Sequence, residues 1–114
     1  MSRARQILGA AGEDLAAAWY ERRGYQVVAR NWRCRHGELD LVVRSSGLVV
    51  FCEVKSRSSS AFGTPFEAVT VDKQRRIRRL AAAWLAQWRG TASEIRFDVA
   101  GVVDGRVEVI EAAF

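Results

Sequence analysis

Four charged residues stand where a strand would rather have none. Asp40 and Glu38 lie in Gly37-Glu38-Leu39-Asp40-Leu41-Val42-Val43-Arg44, and Glu53 and Lys55 lie in Leu48-Val49-Val50-Phe51-Cys52-Glu53-Val54-Lys55. Both stretches are otherwise apolar almost throughout and read as β-strands. A charge in a half-buried strand is costly unless it is paired or binds an ion. Two carboxylates that face each other are worse, unless a proton or a cation sits between them. Mg²⁺ answers that need, because it takes oxygen ligands and ordinarily uses one or two carboxylates together with water and phosphate.

Whether the carboxylates meet depends on the turn. If Ser46-Gly47 is a two-residue turn, Ser45 pairs with Leu48, and counting outward sets Asp40 opposite Glu53 and Glu38 opposite Lys55. A three-residue loop would slip the register by one and place Asp40 beside Cys52. Alternation puts Glu38, Asp40 and Val42 on one face of the first strand, and Phe51, Glu53 and Lys55 on one face of the second. The opposition of Glu38 and Lys55 predicts an ion pair that positions the lysine.

The elements around this hairpin follow from periodicity. Ile7, Ala11, Leu15, Ala18 and Trp19 recur at helical spacing, which predicts a helix from about Ile7 to Arg23 that stops at Gly24. Glu13 falls at the border or back of that stripe, where a solvated helix carboxylate is the plain reading. Tyr25 to Trp32 reads as a strand, and Arg33-Cys34-Arg35-His36-Gly37 as a basic loop into the hairpin. His36 has the side chain of a general base, though a lone loop histidine is usually only solvated. Ser56 to Thr64 is polar and serine-rich, a flexible loop that is either a plain linker or a cover for a neighbouring site.

A second helix is expected from Asp72 to about Trp88, with Gly90 beyond it and Ile77, Leu80, Trp84, Leu85 and Trp88 as its buried stripe. Lys73, Arg75, Arg76, Arg78 and Arg79 crowd its first turns. Positive charge there opposes the helix dipole and makes most sense beside a polyanion, a solvated basic face being the alternative. Glu94–Val103 and Arg106–Ile110 flank Asp104-Gly105, a strong hairpin signal. Asp98, between Phe97 and Val99, reads as a structural acid that caps or pairs with an arginine. The order is α-β-β-β-α-β-β, which predicts one α/β domain over residues 1–114, ordered from about 7 to 112, with a mixed five-stranded sheet and two main helices.

Composition bounds the rest. At 114 residues, 49% apolar and 27% charged, the chain is an ordinary globular domain. No apolar run reaches the roughly 20 residues of a membrane span, and no apolar signal segment follows the basic N-terminus. Cys34 and Cys52 make no disulfide framework, and one histidine cannot furnish a zinc site, so a cytoplasmic location is expected. The formal charge is +5, from 18 basic side chains of which only Lys55 and Lys73 are lysines. Arginine grips two phosphate oxygens at once, so an arginine-rich chain fits nucleic acid, although a generic basic protein has the same charge.

Asp40 followed by Glu53-Val54-Lys55 resembles the acid–spacer–Glu-x-Lys pattern of the PD-(D/E)XK nuclease superfamily, with Leu39 where that pattern loosely keeps proline. More closely, the chain resembles the YraN-like family of small bacterial proteins within that superfamily. Gly12-Glu13-Asp14-Leu15-Ala16, Gly24-Tyr25, Arg30-Asn31-Trp32-Arg33, Gly37-Glu38-Leu39-Asp40-Leu41, Phe51-Cys52-Glu53-Val54-Lys55-Ser56-Arg57, Lys73 and Arg96-Phe97-Asp98-Val99 carry the resemblance. It implies a restriction-endonuclease-like core close to Holliday-junction resolvases. It also implies a metal-dependent DNA endonuclease, one selective for junctions or branched DNA. Asp40 and Glu53 would hold Mg²⁺ (or Mn²⁺) with the Val54 carbonyl as third ligand, and Lys55 would orient the attacking water or stabilise developing charge. Glu13 resembles the superfamily's helical glutamate, which would reach the same cation or seat a second one. Arg33, Arg35, Arg57, Lys73, Arg75, Arg76 and Arg79 would grip the nucleic-acid backbone. Paired cuts at a junction would call for a homodimer. Two other readings stand beside this one: a nucleic-acid-binding accessory protein in DNA repair or recombination that does not cleave, and a buried ion network with a purely structural role.

Overall fold

The computed structural model describes residues 3–57 and 69–114, and side chains from Ala10 onward. The elements run α1 (Arg3–Arg22), β1 (Gln26–Cys34), β2 (Gly37–Ser45), β3 (Leu48–Arg57), α2 (Val71–Gln87), β4 (Glu94–Val103) and β5 (Arg106–Ile110). They form one five-stranded sheet in the order β1-β2-β3-β4-β5. β1, β2 and β3 are successive antiparallel neighbours, β3 and β4 are parallel, and β4 and β5 are antiparallel. A parallel pair needs a crossover, and α2 lies in the one between β3 and β4. The element order and mixed sheet are those expected from the sequence.

The two helices cover opposite faces. Ile77, Leu80, Ala81 and Trp84 of α2 pack with Val42, Val49, Phe51 and Phe97. Ala16, Ala17 and Tyr20 of α1 pack with Leu41, Val43, Val50, Cys52 and Ala100. The buried side of α2 is the expected one, with Leu85 and Trp88 packed at its margin. That of α1 is not. Ala11 and Leu15, expected to be buried, are exposed, and the face against the sheet is Gly12, Ala16, Ala17 and Tyr20. Small residues win because they let the helix lie closer to the strands. A Cβ at Gly12 would collide with the Ser56 Oγ on β3. The side chain of Ile7 lies outside the described residues.

Both hairpins close as the sequence predicts. Ser45 pairs with Leu48 around Ser46-Gly47, and Val103 pairs with Arg106 around Asp104-Gly105, where φ is +52° and +76°. β3 extends through Ser56 and Arg57, two residues into the expected loop, because its parallel ladder with β4 continues to Arg57–Val103. The remainder of that loop, from Ser58, lies outside the described residues. Among the described residues, no helix is long and apolar enough to cross a membrane.

Candidate active site

The site forms where β2 parts from β3. Their ladder ends at Leu41–Cys52, and the next pair in register is Asp40 and Glu53. There the Asp40 side chain replaces the ladder: its Oδ2 accepts the Val54 N–H at 2.9 Å. Val54 therefore enters the site as a backbone donor. β2 also changes face at this point, since Leu41 packs on the α1 side and Leu39 on the α2 side. β1 does the same across Asn31, between Arg30, bonded to Asp14 of α1 at 2.6 Å, and Trp32, packed on the α2 side. Asn31 absorbs the change in a left-handed conformation, φ +50°, which asparagine tolerates better than most residues.

That face change corrects two expectations. Glu38 does not share the face of Val42, and it does not pair with Lys55. Glu38 sits on the α1 side, 3.4 Å from Arg33 Nε, whereas Lys55 stays on the α2 side with its Nζ 3.3 Å from Glu53 Oε1. Strict alternation would have put them together, and the irregular step at Asp40 separates them.

Two subsites result. On the α2 side, Glu53 Oε1 receives both Lys55 and, at 3.0 Å, Lys73 from the first turn of α2. The Glu53 side chain is 11% exposed, so these contacts are poorly screened. On the α1 side, the Asn31 amide, oriented by its hydrogen bonds, donates to Glu13 Oε2 at 2.6 Å and to Glu38 Oε1 at 2.8 Å. Gly12 brings α1 close to β3, and Glu13 is the next residue. Glu13 is thus half-buried and engaged with the strands rather than simply solvated.

The electrostatics follow from this crowding. Burial, and then the facing Glu53 charge, push the Asp40 carboxyl up to about 7, with Glu13 adding to the rise and the Val54 N–H opposing it. Burial also raises Glu13, helped by Glu38 and Asp14 and opposed by Arg30 and Asn31. Lys55 is lowered, by burial first and then by Lys73. For Lys73, burial works against the charge, but its contacts with Lys55 and Glu53 outweigh burial and raise it.

The facing pair fits a divalent cation chemically: a carboxylate that keeps its proton to about 7 because of burial and then a like charge is one that a cation would ionise. A complete cage is absent, since no three acidic, histidine or cysteine side chains among the described residues converge closely enough to hold a metal. Mg²⁺ does not require one, as it commonly takes one or two carboxylates and completes its shell with water and phosphate.

The other expected site residues are spread around this centre. Arg33, Arg35, Arg57, Arg75, Arg76 and Arg79 are exposed. Gly37, at φ +134°, lets the β1–β2 turn lie against α2, where a Cβ would stand 3.9 Å from Arg76 Cδ. Arg33, paired with Glu38, stands instead toward the α1 side. Lys73 differs from the rest, being held at Glu53 instead of in the exposed set. His36 contacts Arg35 and Cys34. The sequence reading missed the part played by Asn31 and gave Lys73 to the nucleic-acid backbone rather than to Glu53. Asn31 gave no signal by type, but Lys73 did: in a chain that otherwise uses arginine, both lysines meet one carboxylate oxygen.

A family model described as "Uncharacterised protein family UPF0102" matches residues 12–102. The chain belongs to this family. That agrees with the YraN-like resemblance of its segments, and the matched span contains Glu13, Asn31, Asp40, Glu53, Lys55 and Lys73. A UPF0102 protein of Nocardia farcinica is 54% identical over 99 residues, covering 87% of this chain and 78% of its own. One from Beutenbergia cavernae is 55% identical over 104 residues, covering 91% and 88%. One from Frankia casuarinae is 50% identical over 119 residues, covering 98% and 99%. UPF0102 membership therefore extends over the whole candidate site.

Proposed function

We propose that this UPF0102 protein is a metal-dependent endonuclease of the PD-(D/E)XK kind that hydrolyses DNA phosphodiester bonds, with selectivity for branched or junction DNA, and works in the cytoplasm. One observation carries the reading: Asp40 and Glu53 face each other at the parting of two strands, with Lys55 on Glu53. Opposed carboxylates cost stability, and a binding-only protein has no use for them.

Asp40 and Glu53 would hold Mg²⁺ or Mn²⁺, with Glu13 near enough to influence Asp40. When bound, the cation supplies Lewis acidity to a phosphoryl oxygen and acidifies a water. The chain's own residues do the rest. Asp40 gives up its proton to become a ligand, and the Val54 N–H holds the resulting charge in place. Lys55, anchored on Glu53, presents an ammonium to charge developing on the phosphoryl group. Asn31 keeps Glu13 and Glu38 together against their mutual repulsion. The exposed arginines bind the phosphate backbone without reading sequence.

The test is cleavage of duplex, flapped, single-stranded and four-way-junction DNA with Mg²⁺ or Mn²⁺. Wild type should cut at least one branched form, and Glu53→Gln and Lys55→Ala should each lose cutting by roughly a hundredfold or more. Activity that survives both substitutions belongs to a contaminant and sinks the assignment. The accessory reading has its own support, because Glu53 already carries two ammonium partners and needs no metal for neutrality. Salt-sensitive binding without cutting on any of the four DNAs would favour it.

A further inference from the structure

Sixteen of the 18 basic side chains are arginines, and the remaining two, Lys55 and Lys73, both end on Glu53 Oε1. The two are not equivalent. Lys55 is two residues from Glu53 on the same strand, with Nζ at 3.3 Å. Lys73 reaches across from α2 to 3.0 Å, and its backbone N–H is fixed by the Thr70 cap at 3.2 Å. Lysine differs from arginine in the way such a position requires. An ammonium is a compact charge on a flexible stem, whereas a guanidinium would tend to fork across both carboxylate oxygens.

We infer that Lys73 is the resident counter-cation of Glu53: it holds the carboxylate oxygen that a divalent cation would take, so Lys73 and the cation exclude one another. This rests on the reading of Asp40 and Glu53 as cation ligands. Lys73 is a positioning residue here, acting through Glu53. Entry of the cation frees the Lys73 ammonium beside exposed Arg75, Arg76 and Arg79, so loading the site adds a positive charge to the face that meets phosphate. By linkage, whatever draws Lys73 away from Glu53 strengthens cation binding by the same factor.

Calorimetric titration of the full chain with Mn²⁺ alone tests this. Lys73→Met should bind Mn²⁺ roughly tenfold tighter than wild type, a coupling of ordinary size. Lys73→Arg, which keeps the charge and can fork across both Glu53 oxygens, should bind Mn²⁺ no more tightly than wild type, and Glu53→Gln should abolish binding in either background. A purely structural lysine predicts something else: a lower melting temperature for Lys73→Met with an unchanged Mn²⁺ affinity. Equal, measurable affinities for wild type and Lys73→Met overturn the role of Lys73 alone. If neither binds Mn²⁺, the assignment of Asp40 and Glu53 as ligands falls, and this inference with it. Should the methionine variant not fold, Lys73→Gln makes the same comparison.

Discussion

Asp98 on β4 and Asp40 on β2 are both acids in apolar strands, and the protein surrounds them in opposite ways. Asp98 is fully buried, and donors reach both of its oxygens. Arg96 grips it through Nε at 2.8 Å and Nη2 at 2.9 Å, Tyr20 donates to it from α1 at 2.6 Å, and the Ala112 N–H donates at 3.0 Å. Those bonds tie α1, β4 and the chain after β5 to one carboxylate. Among the described residues Asp40 accepts one backbone N–H and has another carboxylate in front of it. A buried charge whose bonding capacity is used up by the protein has nothing left to offer a ligand. One that is left facing a like charge is costly to the fold and available to a cation. That contrast separates an acid that builds the structure from one that the structure holds in reserve.

The sharpest way to break the comparison is to remove each acid. Asp98→Ala leaves Arg96 half-buried with only the exposed Glu111 carboxylate as counter-charge and should cost about 3–5 kcal/mol in denaturant unfolding. Asp40→Asn should change stability by less than about 1 kcal/mol, since the lost carboxylate bond to the Val54 N–H is offset by relief of repulsion from Glu53. Equal losses would make Asp40 a structural acid after all. Next in size is the effect of metal. Mg²⁺ or Mn²⁺ at about 100 times its Kd should stabilise wild type by about 2.7 kcal/mol, and Asp40→Asn should abolish that shift in melting temperature. A metal effect that survives in Asp40→Asn would put the cation somewhere else.

The pH dependence of metal-free stability should separate the same residue again. Asp40 titrates near 7 in the folded chain against an ordinary 3.8, so between those values the folded state holds a proton that the unfolded state has lost. Its contribution to stability is therefore complete below about 4 and is lost as pH rises through about 7. Measured against Asp40→Asn by chemical unfolding at steps across that window, wild type should lose stability relative to the variant as pH rises from about 4 to about 7. An unchanging difference would mean that Asp40 is ionised throughout.

Much of this contrast was legible in the sequence. Asp98 read as a structural acid seeking an arginine, and the Ser46-Gly47 turn fixed the register that sets Asp40 level with Glu53. What could not be read required distant or irregular structure. Tyr20, 78 residues from Asp98, is brought to it only by the packing of α1. The apolar stripe through Ala11 and Leu15 pointed away from the true face because periodicity weighs hydrophobicity, and the packing of α1 is governed by smallness at Gly12, Ala16 and Ala17. Glu38 was set against Lys55 because alternation has no means of foreseeing a face change at Asp40 or a left-handed Asn31.

Arginine repeats the comparison on a smaller scale. Arg96 is consumed by Asp98, with Tyr25 and Glu111 as further partners at 3.3 and 3.4 Å, so it has little left for phosphate. Arg78 is also engaged, its guanidinium lying 4.7 Å from the centre of the Phe97 ring. Among the described residues Arg75 pairs with Asp72 alone, at 3.8 Å with both side chains exposed, an ion pair of the kind that contributes almost nothing in water. Arg76 and Arg79 are exposed as well. If these three are the phosphate contacts, each Arg→Gln substitution should weaken duplex DNA binding uniformly across sequences and lower the slope of log affinity against log salt by about 1. Folding should stay within about 0.5 kcal/mol, as for surface changes in general. Salt slopes that stay at the wild-type value in all three would remove α2 from the interface and leave Arg33 at the end of β1 and Arg35 of the β1–β2 turn to carry it.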